Sequence, residues 1–260
     1  MIRFLKDVHK YWRYILYSAR AQLKDEVAGS FLNWLWWILD PLLFMLVYTF
    51  VYTIVFGRSQ DYLCAFIFIG YTTWQFFDRC VNQSVKLVKR YQPVLSKVYL
   101  PKFILILANM MVQGFKMLIG FGLVFVTMLL YRVPWTPKVL WVVPYLLLLF
   151  LLTFGLSCVL LHGGVYMEDL SNIIRVLLRL MFYLSGIFYN PEKQLEGVAQ
   201  YALIRLNPTC YIITQLRNSM LYGKTPLLNW FLVWAVVGLL LSIIGVRLIY
   251  KYERRYVKSV

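Results

Sequence analysis

The chain has 260 residues, of which 61% are hydrophobic, and its formal net charge at pH 7 is +16. Soluble domains hold about 45–50% apolar residues, so this composition excludes an ordinary soluble globule and indicates a lipid environment. The basic charge does not indicate nucleic-acid binding, because no zinc pattern, RNA-binding signature or basic heptad region accompanies it.

The first predicted element is an amphipathic helix over residues 4–23. Its apolar residues recur at helical spacing, and basic residues, among them Arg13, Arg20 and Lys24, occupy the other face. This pattern predicts a helix on the inner membrane surface, with docking on a soluble partner as the alternative. We therefore expect residues 1–32 to form a cytoplasmic interface segment and residues 33–260 to form a single six-span transmembrane domain.

Six long apolar stretches follow this segment. They cover residues 33–56, 62–81, 103–130, 139–161, 173–188 and 227–250. Between spans five and six lie two apolar runs, at 198–206 and 211–222, that are too short to cross about 30 Å of hydrocarbon. We predict that both runs enter the outer leaflet and return. The predicted fold is an all-α integral membrane protein with an interfacial helix, six transmembrane helices and two short re-entrant extracellular helices.

The distribution of basic residues in the loops predicts the orientation. The N-terminal segment, the loop between spans two and three, and the C-terminal end together hold 16 Lys and Arg, against seven on the opposite side. Cytoplasmic loops carry the excess of positive charge, so both termini are expected in the cytoplasm of a multi-pass plasma membrane protein.

The sequence contains no nucleotide-binding or catalytic motif. Gly223-Lys224-Thr225 resembles the end of a P-loop, but the first glycine of that motif is replaced by Asn218. The four cysteines stand singly, without the spacing of metal ligands. We expect no catalytic residue, no metal site and no cofactor on this chain.

Two groups of residues inside predicted spans are candidates for a substrate path. Lys116 lies 13 residues into span three, where a charge is costly unless it is hydrated or paired. A water-filled cavity and a local ion pair are both open readings. Tyr183, Phe188 and Tyr189, near the outer end of span five, are candidates for stacking on sugar rings. An interfacial aromatic belt is the alternative for these three residues.

Four blocks of the sequence resemble the permeases of polysaccharide-exporting ABC transporters. SFLNWLW at 30–36 followed by Pro41 resembles S-x-L-G-x-x-W…P, and VLSKVYLP at 94–101 is similar to the K-x-x-x-P end of their first cytoplasmic loop. YMEDL at 166–170 with YLSGIFY at 183–189 resembles R-D-L…Y-L-S-P-I-x-Y, and LNP at 206–208 with LRNSMLYG at 216–223 resembles N-P…R…G. WWILDP at 36–41 is most like the wall teichoic acid translocation permeases of Gram-positive bacteria.

The resemblance implies a half-transporter that pairs with a second copy of itself and with two copies of a cytoplasmic ATPase, which binds the ATP and magnesium. It implies that Lys97, Tyr99, Pro101, Glu168 and Asp169 contact that ATPase. The implied substrate is a lipid-linked glycopolymer on an undecaprenyl-type carrier: wall teichoic acid is favoured, and O-antigen or capsule is the alternative. Arg13, Arg20 or Lys24 would receive its pyrophosphate head group.

The sequence departs from the family pattern at three positions. Asn33 replaces a glycine, Glu168 replaces an arginine beside the expected ATPase contact, and Gly186 replaces a proline that breaks a helix. Two other functional classes stay open at this point. A membrane-embedded lipid-linked sugar transferase would need an acidic metal-binding pair such as DxD, and an ion-coupled carrier would need internal repeats or further midplane charges.

Overall fold

The computed structural model describes residues 2–28, 32–55, 57, 60–225 and 227–256, without the side chains of residues 2, 33 and 254–256. Helices and the turns between them account for the regular structure of this part of the chain. Ser30, Phe31 and residue 56, which enter the predicted first block and first span, lie outside the described residues.

The first helix, α1, covers Ile2–Ala28. Its buried face includes Ile15, which is fully buried. The start of the helix packs on the long helix Lys102–Leu130 through Phe4 and Phe103, whose ring centroids are 5.0 Å apart. The Tyr250 hydroxyl donates a hydrogen bond to Asp7 at 2.5 Å. Helix α1 therefore rests on the protein with one face, and its basic residues point away from that face.

The next two helices differ in burial, because the first lies at the surface of the molecule and the second lies in its core. Helix α2 covers Trp36–Phe50, contains Pro41 and continues into a π-helical turn at Val51–Val55. Helix α3 covers Leu63–Val85, and 17 of its 23 residues are buried. It packs against helices on several sides, which explains why its apolar residues do not follow a single stripe.

The remaining elements run in chain order from the cytoplasmic loop to the last span. Short helices α4 at Leu87–Arg90 and α5 at Gln92–Leu95 lead to α6 at Lys102–Leu130. A 3₁₀ turn at Pro137–Trp141 precedes α7 at Val142–Tyr166, and α8 covers Leu170–Leu184. The others are α9 at Pro191–Gln194, α10 at Gly197–Tyr201 with a π-helical turn at Ala202–Leu206, α11 at Pro208–Met220 and α12 at Leu228–Tyr256.

Helices α7 and α12 approach each other closely because glycines remove side chains from their interface. A Cβ atom on Gly155 would lie 2.7 Å from the backbone nitrogen of Ser242, and one on Gly245 would lie 2.5 Å from the Cβ of Cys158. Small residues at such contacts let helix backbones pack directly in lipid, where there is no hydrophobic drive for association. The two helices therefore form one tightly packed pair.

Four stretches of the described residues are long and apolar enough to cross a membrane: Trp36–Val55, Lys102–Leu130, Pro137–Tyr166 and Leu228–Glu253. Helix α8 is shorter than a span, with 15 residues, and α3 carries the polar residues Gln75, Asp78, Arg79 and Gln83 in its second half. The count of six spans stays a prediction, and so does the re-entrant placement of the runs at 198–206 and 211–222, both of which are helical.

Candidate functional site: aromatic and polar cavities, and the cytoplasmic loops

The structure brings Tyr183, Phe188 and Tyr189 together in one cavity of about 440 Å³, which Tyr48 and Tyr52 also line. The rings of Tyr48 and Phe188 are stacked, with centroids 3.9 Å apart and planes inclined by 12°. The hydroxyl of Tyr52 accepts a hydrogen bond from Gln194 at 3.2 Å. Flat aromatic faces with hydroxyl groups at their edges are suited to sugar rings, which have apolar faces and polar rims.

A helix break after Leu184 places the aromatic residues in this cavity. The Ser185 hydroxyl donates to the carbonyl of Met181 at 2.7 Å, and Gly186 adopts a left-handed conformation with φ +66°. Glycine accepts this conformation without the steric penalty that a side chain brings. The helix is therefore interrupted at Gly186, as it would be by the proline of the family pattern, and the break turns the chain so that Phe188 faces Tyr48.

Arg217 holds this break in position. In the sequence it is recognisable only as one of the basic residues on the outer side and as the arginine of the last family block. Its guanidinium donates to the carbonyls of Phe66 at 3.0 Å, Gly186 at 2.6 Å and Ile187 at 2.9 Å. It also lies 3.4 Å from the centre of the Phe66 ring. Arg217 is 2% exposed. The signal that could have identified it was a charge inside the apolar run 211–222.

A second, polar cavity of about 540 Å³ lies among α1, α2, α3 and α6. Lys116 lines it and forms an ion pair with Glu26 at the end of α1. A second ion pair joins Arg79 to Asp40 at 3.1 Å, and Gln75 donates to the same Asp40 oxygen at 3.1 Å. Lys116 is therefore paired with Glu26 and also lines a cavity, and its place on a substrate path stays a prediction.

The polar cavity combines groups that bind carbohydrate and phosphate. The lining residues that are polar or aromatic are Glu26, Trp36, Trp37, Asp40, Thr72, Gln75, Phe76, Arg79, Gln83, Gln113 and Lys116. The hydroxyl of Thr72 is buried and has no hydrogen-bond partner within the described residues. Arg13, Arg20 and Lys24 are exposed on α1 and do not line this cavity.

Helix α8 carries an exposed polar face. Asn172, Arg175, Arg179 and Tyr183 are three or four residues apart, so they share one face of the helix, and all four are exposed. Neither arginine forms a hydrogen bond or an ion pair with any residue that the structure describes. Arg175 and Arg179 therefore present two unpaired positive charges, about one turn apart, toward the outside of this chain.

The start of the first cytoplasmic loop contacts the turn before α8. Lys89 forms an ion pair with Glu168 at 3.2 Å, and both residues line a groove of about 210 Å³ with Val85 and Gly164. Asp169 is exposed and immediately precedes α8. Lys97 is exposed as well, whereas Pro101 is buried at the start of α6. Of the five predicted coupling residues, Lys97, Tyr99, Glu168 and Asp169 are therefore exposed.

The loop that contains Tyr99 is attached to the last helix. The Tyr99 hydroxyl donates to Glu253 at 2.9 Å, and Lys102 lies 3.7 Å from the other oxygen of the same carboxylate. Partial burial and the hydrogen bond to Glu253 raise the pKa of the Tyr99 hydroxyl, so it remains a proton donor at neutral pH. The sequence analysis missed Glu253, which lies among basic residues.

No cluster of three or more His, Cys, Asp or Glu side chains suited to a metal ion occurs in the described part of the chain. The cysteines Cys64, Cys80, Cys158 and Cys210 are free thiols. The cavities and grooves above therefore offer aromatic rings, amides and charged groups rather than metal ligands.

Comparison with known proteins gives two findings. The family model described as "ABC-2 type transporter" matches residues 14–221. Curated relatives include the O-antigen export system permease protein RfbA of Klebsiella pneumoniae, 24% identical over 237 residues that make up 90% of each chain. The protein of the same name from Myxococcus xanthus is 25% identical over 242 residues, 93% of each chain.

Proposed function

Because the chain belongs to the ABC-2 type transporter family, we propose that it is the membrane permease subunit of an ATP-driven exporter of a lipid-linked polysaccharide. The similarity to O-antigen export permeases over at least 90% of their length supports a polymer of the O-antigen type. In this proposal the polymer crosses the bacterial plasma membrane on an undecaprenyl-type carrier, and the carrier's lipid tail stays in the bilayer.

The exposed polar face of α8 carries this proposal. An arginine at the centre of a bilayer costs about 2.5–3.5 kcal/mol or more, and in this proposal Arg175 and Arg179 face water or protein instead of hydrocarbon. Helix α8 presents them on the outside of a single copy, where no other helix among the described residues covers them. A second copy that faces α8 would enclose a water-filled path, and the homodimer would thus form the conduit.

The proposed path leads outward from this arginine pair to the aromatic cavity. Tyr183 belongs both to the polar face of α8 and to the lining of that cavity. Sugars that pass along α8 would then stack on Tyr183, Phe188 and Tyr189 before they leave. In this proposal the path begins at the cytoplasmic side, where Arg13, Arg20 and Lys24 attract the pyrophosphate. It ends at the short outer helices.

The proposal also covers the orientation of the chain in the membrane and its partner subunit. We place both termini in the cytoplasm, count α3 and α8 with the four apolar helices as six spans, and treat α10 and α11 as re-entrant. The stretch 1–32 is the interface segment of this arrangement. Two ATPase subunits, which bind ATP and magnesium, would seat on the surface formed by Lys97, Tyr99, Glu168 and Asp169.

Wall teichoic acid is the second candidate for the polymer, and the two unpaired arginines favour it. A phosphodiester backbone would offer the anionic partners that Arg175 and Arg179 lack among the residues that the structure describes. The sequence WWILDP at 36–41 supports the same candidate through its resemblance to teichoic acid permeases.

The test is transport by vesicles that contain the permease and its ATPase. Two lipid-linked polymers are supplied, one a neutral glycan of the O-antigen type and one a poly(glycerol phosphate). ATP-dependent movement of either polymer supports the exporter. Replacing Arg175 and Arg179 by Gln should reduce movement of the phosphodiester polymer more strongly, while the matched control Arg132→Gln, in an outer loop, should change neither. If neither polymer moves when ATP is supplied, the proposal that the chain is an exporter subunit is refuted.

The coupling surface is tested separately. Glu168→Lys with Asp169→Lys should abolish co-purification with the ATPase or uncouple ATP hydrolysis from transport. Unchanged ATPase binding and unchanged export would show that this surface is not the docking site.

A further inference from the structure

One buried carboxylate joins the cytoplasmic loop to the last helix. Tyr99 and Lys102 lie on either side of Pro101, and both contact Glu253 of α12. Lys102 is 3% exposed and Glu253 is 8% exposed, so water does not screen this contact effectively. The end of the loop is therefore fixed to α12 by a hydrogen bond and an ion pair, three residues apart in the chain.

Helix α12 is a rigid connection between the two membrane surfaces. Its 29 residues extend for about 43 Å at 1.5 Å per residue, which exceeds the thickness of the hydrocarbon core. Along its length it packs on α7 through Gly155 and Gly245, where a single added carbon would clash. Close-packed interfaces of this kind transmit displacement instead of absorbing it.

The opposite end of α12 contacts the short outer helices. The Tyr211 hydroxyl of α11 donates to the carbonyl of Leu227 at 2.6 Å, and the Leu227 amide donates to the side chain of Gln215 at 3.2 Å. The indole of Trp234 donates to the carbonyl of Arg205 at 3.1 Å. The outer segment from 205 to 215 is thus bonded to the start of α12, as the cytoplasmic loop is bonded to its end.

We propose that α12 is a strut that carries movement of the loop 97–101 to the short outer helices, with Glu253 as the positioning residue that attaches the loop. This inference rests on the proposed function, because the ATPase supplies the movement. It concerns a helix beyond residue 221, where the family match ends. A shift of the loop either breaks its contacts with Glu253 or moves α12. A movement of α12 in turn moves the residues that are bonded to Leu227 and Trp234.

The experiment reports movement at the outer end while the attachment at the cytoplasmic end is changed. Val198 on α10 is 85% exposed and is replaced by Cys for labelling with an environment-sensitive fluorophore, in a Cys64→Ser background. The permease is studied in complex with its ATPase in lipid nanodiscs. Tyr99→Phe removes one hydrogen bond at nearly constant volume, and Glu253→Gln removes the charge.

ATP should change the fluorescence of the labelled parent protein. In Tyr99→Phe and in Glu253→Gln the change should fall by about fivefold or more, the equilibrium factor that corresponds to one hydrogen bond. Continued ATP hydrolysis is expected of Glu253→Gln, which lies outside the proposed ATPase contact, whereas Tyr99 belongs to that contact. Lys102→Arg keeps the charge and should retain the response, as should the matched control Tyr17→Phe on the exposed face of α1.

Two results would overturn the proposal that α12 acts as a strut. One is a full fluorescence response in both Tyr99→Phe and Glu253→Gln; the other is a parent protein that hydrolyses ATP without any change at position 198. Failure of the parent protein to bind any ATPase would instead refute the proposed function, so the two ideas fail by different observations.

Discussion

Replacement of Arg217 by Lys is the most direct test of how the outer end is held together. Lysine keeps the positive charge, but its single nitrogen cannot reach the three carbonyls that accept from Nε, Nη1 and Nη2 of Arg217. We count at least two lost hydrogen bonds to a charged group, each worth about 1.5–3 kcal/mol. The expected loss in the free energy of unfolding is therefore about 3–6 kcal/mol.

The measurement is chemical denaturation in detergent micelles, followed by tryptophan fluorescence. Arg179→Lys is the matched control, because Arg179 is exposed and pairs with none of the described residues. Its replacement should change the stability by less than about 0.5 kcal/mol. If Arg217→Lys destabilises the protein no more than Arg179→Lys does, the three carbonyl contacts do not stabilise the fold and the reasoning is wrong.

Gly70→Ala gives an independent check on the same contact. A Cβ atom at this position would lie 2.5 Å from Nη2 of Arg217, so the guanidinium would have to move. We expect a loss of about 1–3 kcal/mol from overpacking. Because both changes disturb one network, the double variant should lose less than the sum of the two single losses.

Three further predictions concern other parts of the molecule. Gly155→Ala should destabilise the α7–α12 pair by about 1–3 kcal/mol in the same denaturation assay, whereas Gly122→Ala, which meets no atom within 4 Å, should be neutral or stabilising by up to about 1 kcal/mol. Lys116→Gln should change the free energy of unfolding by less than about 1 kcal/mol, because its partner Glu26 is 39% exposed; a larger loss would mean that the pair is buried in lipid. Because the pKa of Tyr99 is raised, its stabilising contact is fully present below about pH 10 and is lost only above that pH. The difference in the free energy of unfolding between Tyr99→Phe and the parent should therefore be constant from about pH 6 to 9.

The sequence predicted the helical elements well where apolar length was the signal. The stretches at 103–130, 139–161 and 227–250 correspond to α6, α7 and α12, whose lipid-facing sides require continuous apolar residues. Tyr183, Phe188 and Tyr189, which the sequence analysis considered together, line one cavity because they are neighbours in sequence around one helix break. Local patterns of this kind depend only on residues close in the chain.

The polar network was beyond the reach of the sequence. Arg79 pairs with Asp40 from another helix, Lys116 pairs with Glu26, and Tyr99 contacts Glu253, which is 154 positions away. Periodicity shows which face of a helix is polar but not which charge of another helix meets it. Such pairs are fixed by the packing of helices, which no single-sequence pattern encodes.

The short length of α8 has a consequence for the lipid around the protein. Its 15 residues extend for about 22 Å, which is some 8 Å less than the hydrocarbon thickness of a typical bilayer. Hydrophobic mismatch of this size is relieved by local thinning of the bilayer or by covering the helix with protein. In the proposed six-span arrangement, a polymer that follows α8 would cross the membrane where thinning has narrowed the hydrocarbon layer, so the short helix would lower the barrier to export.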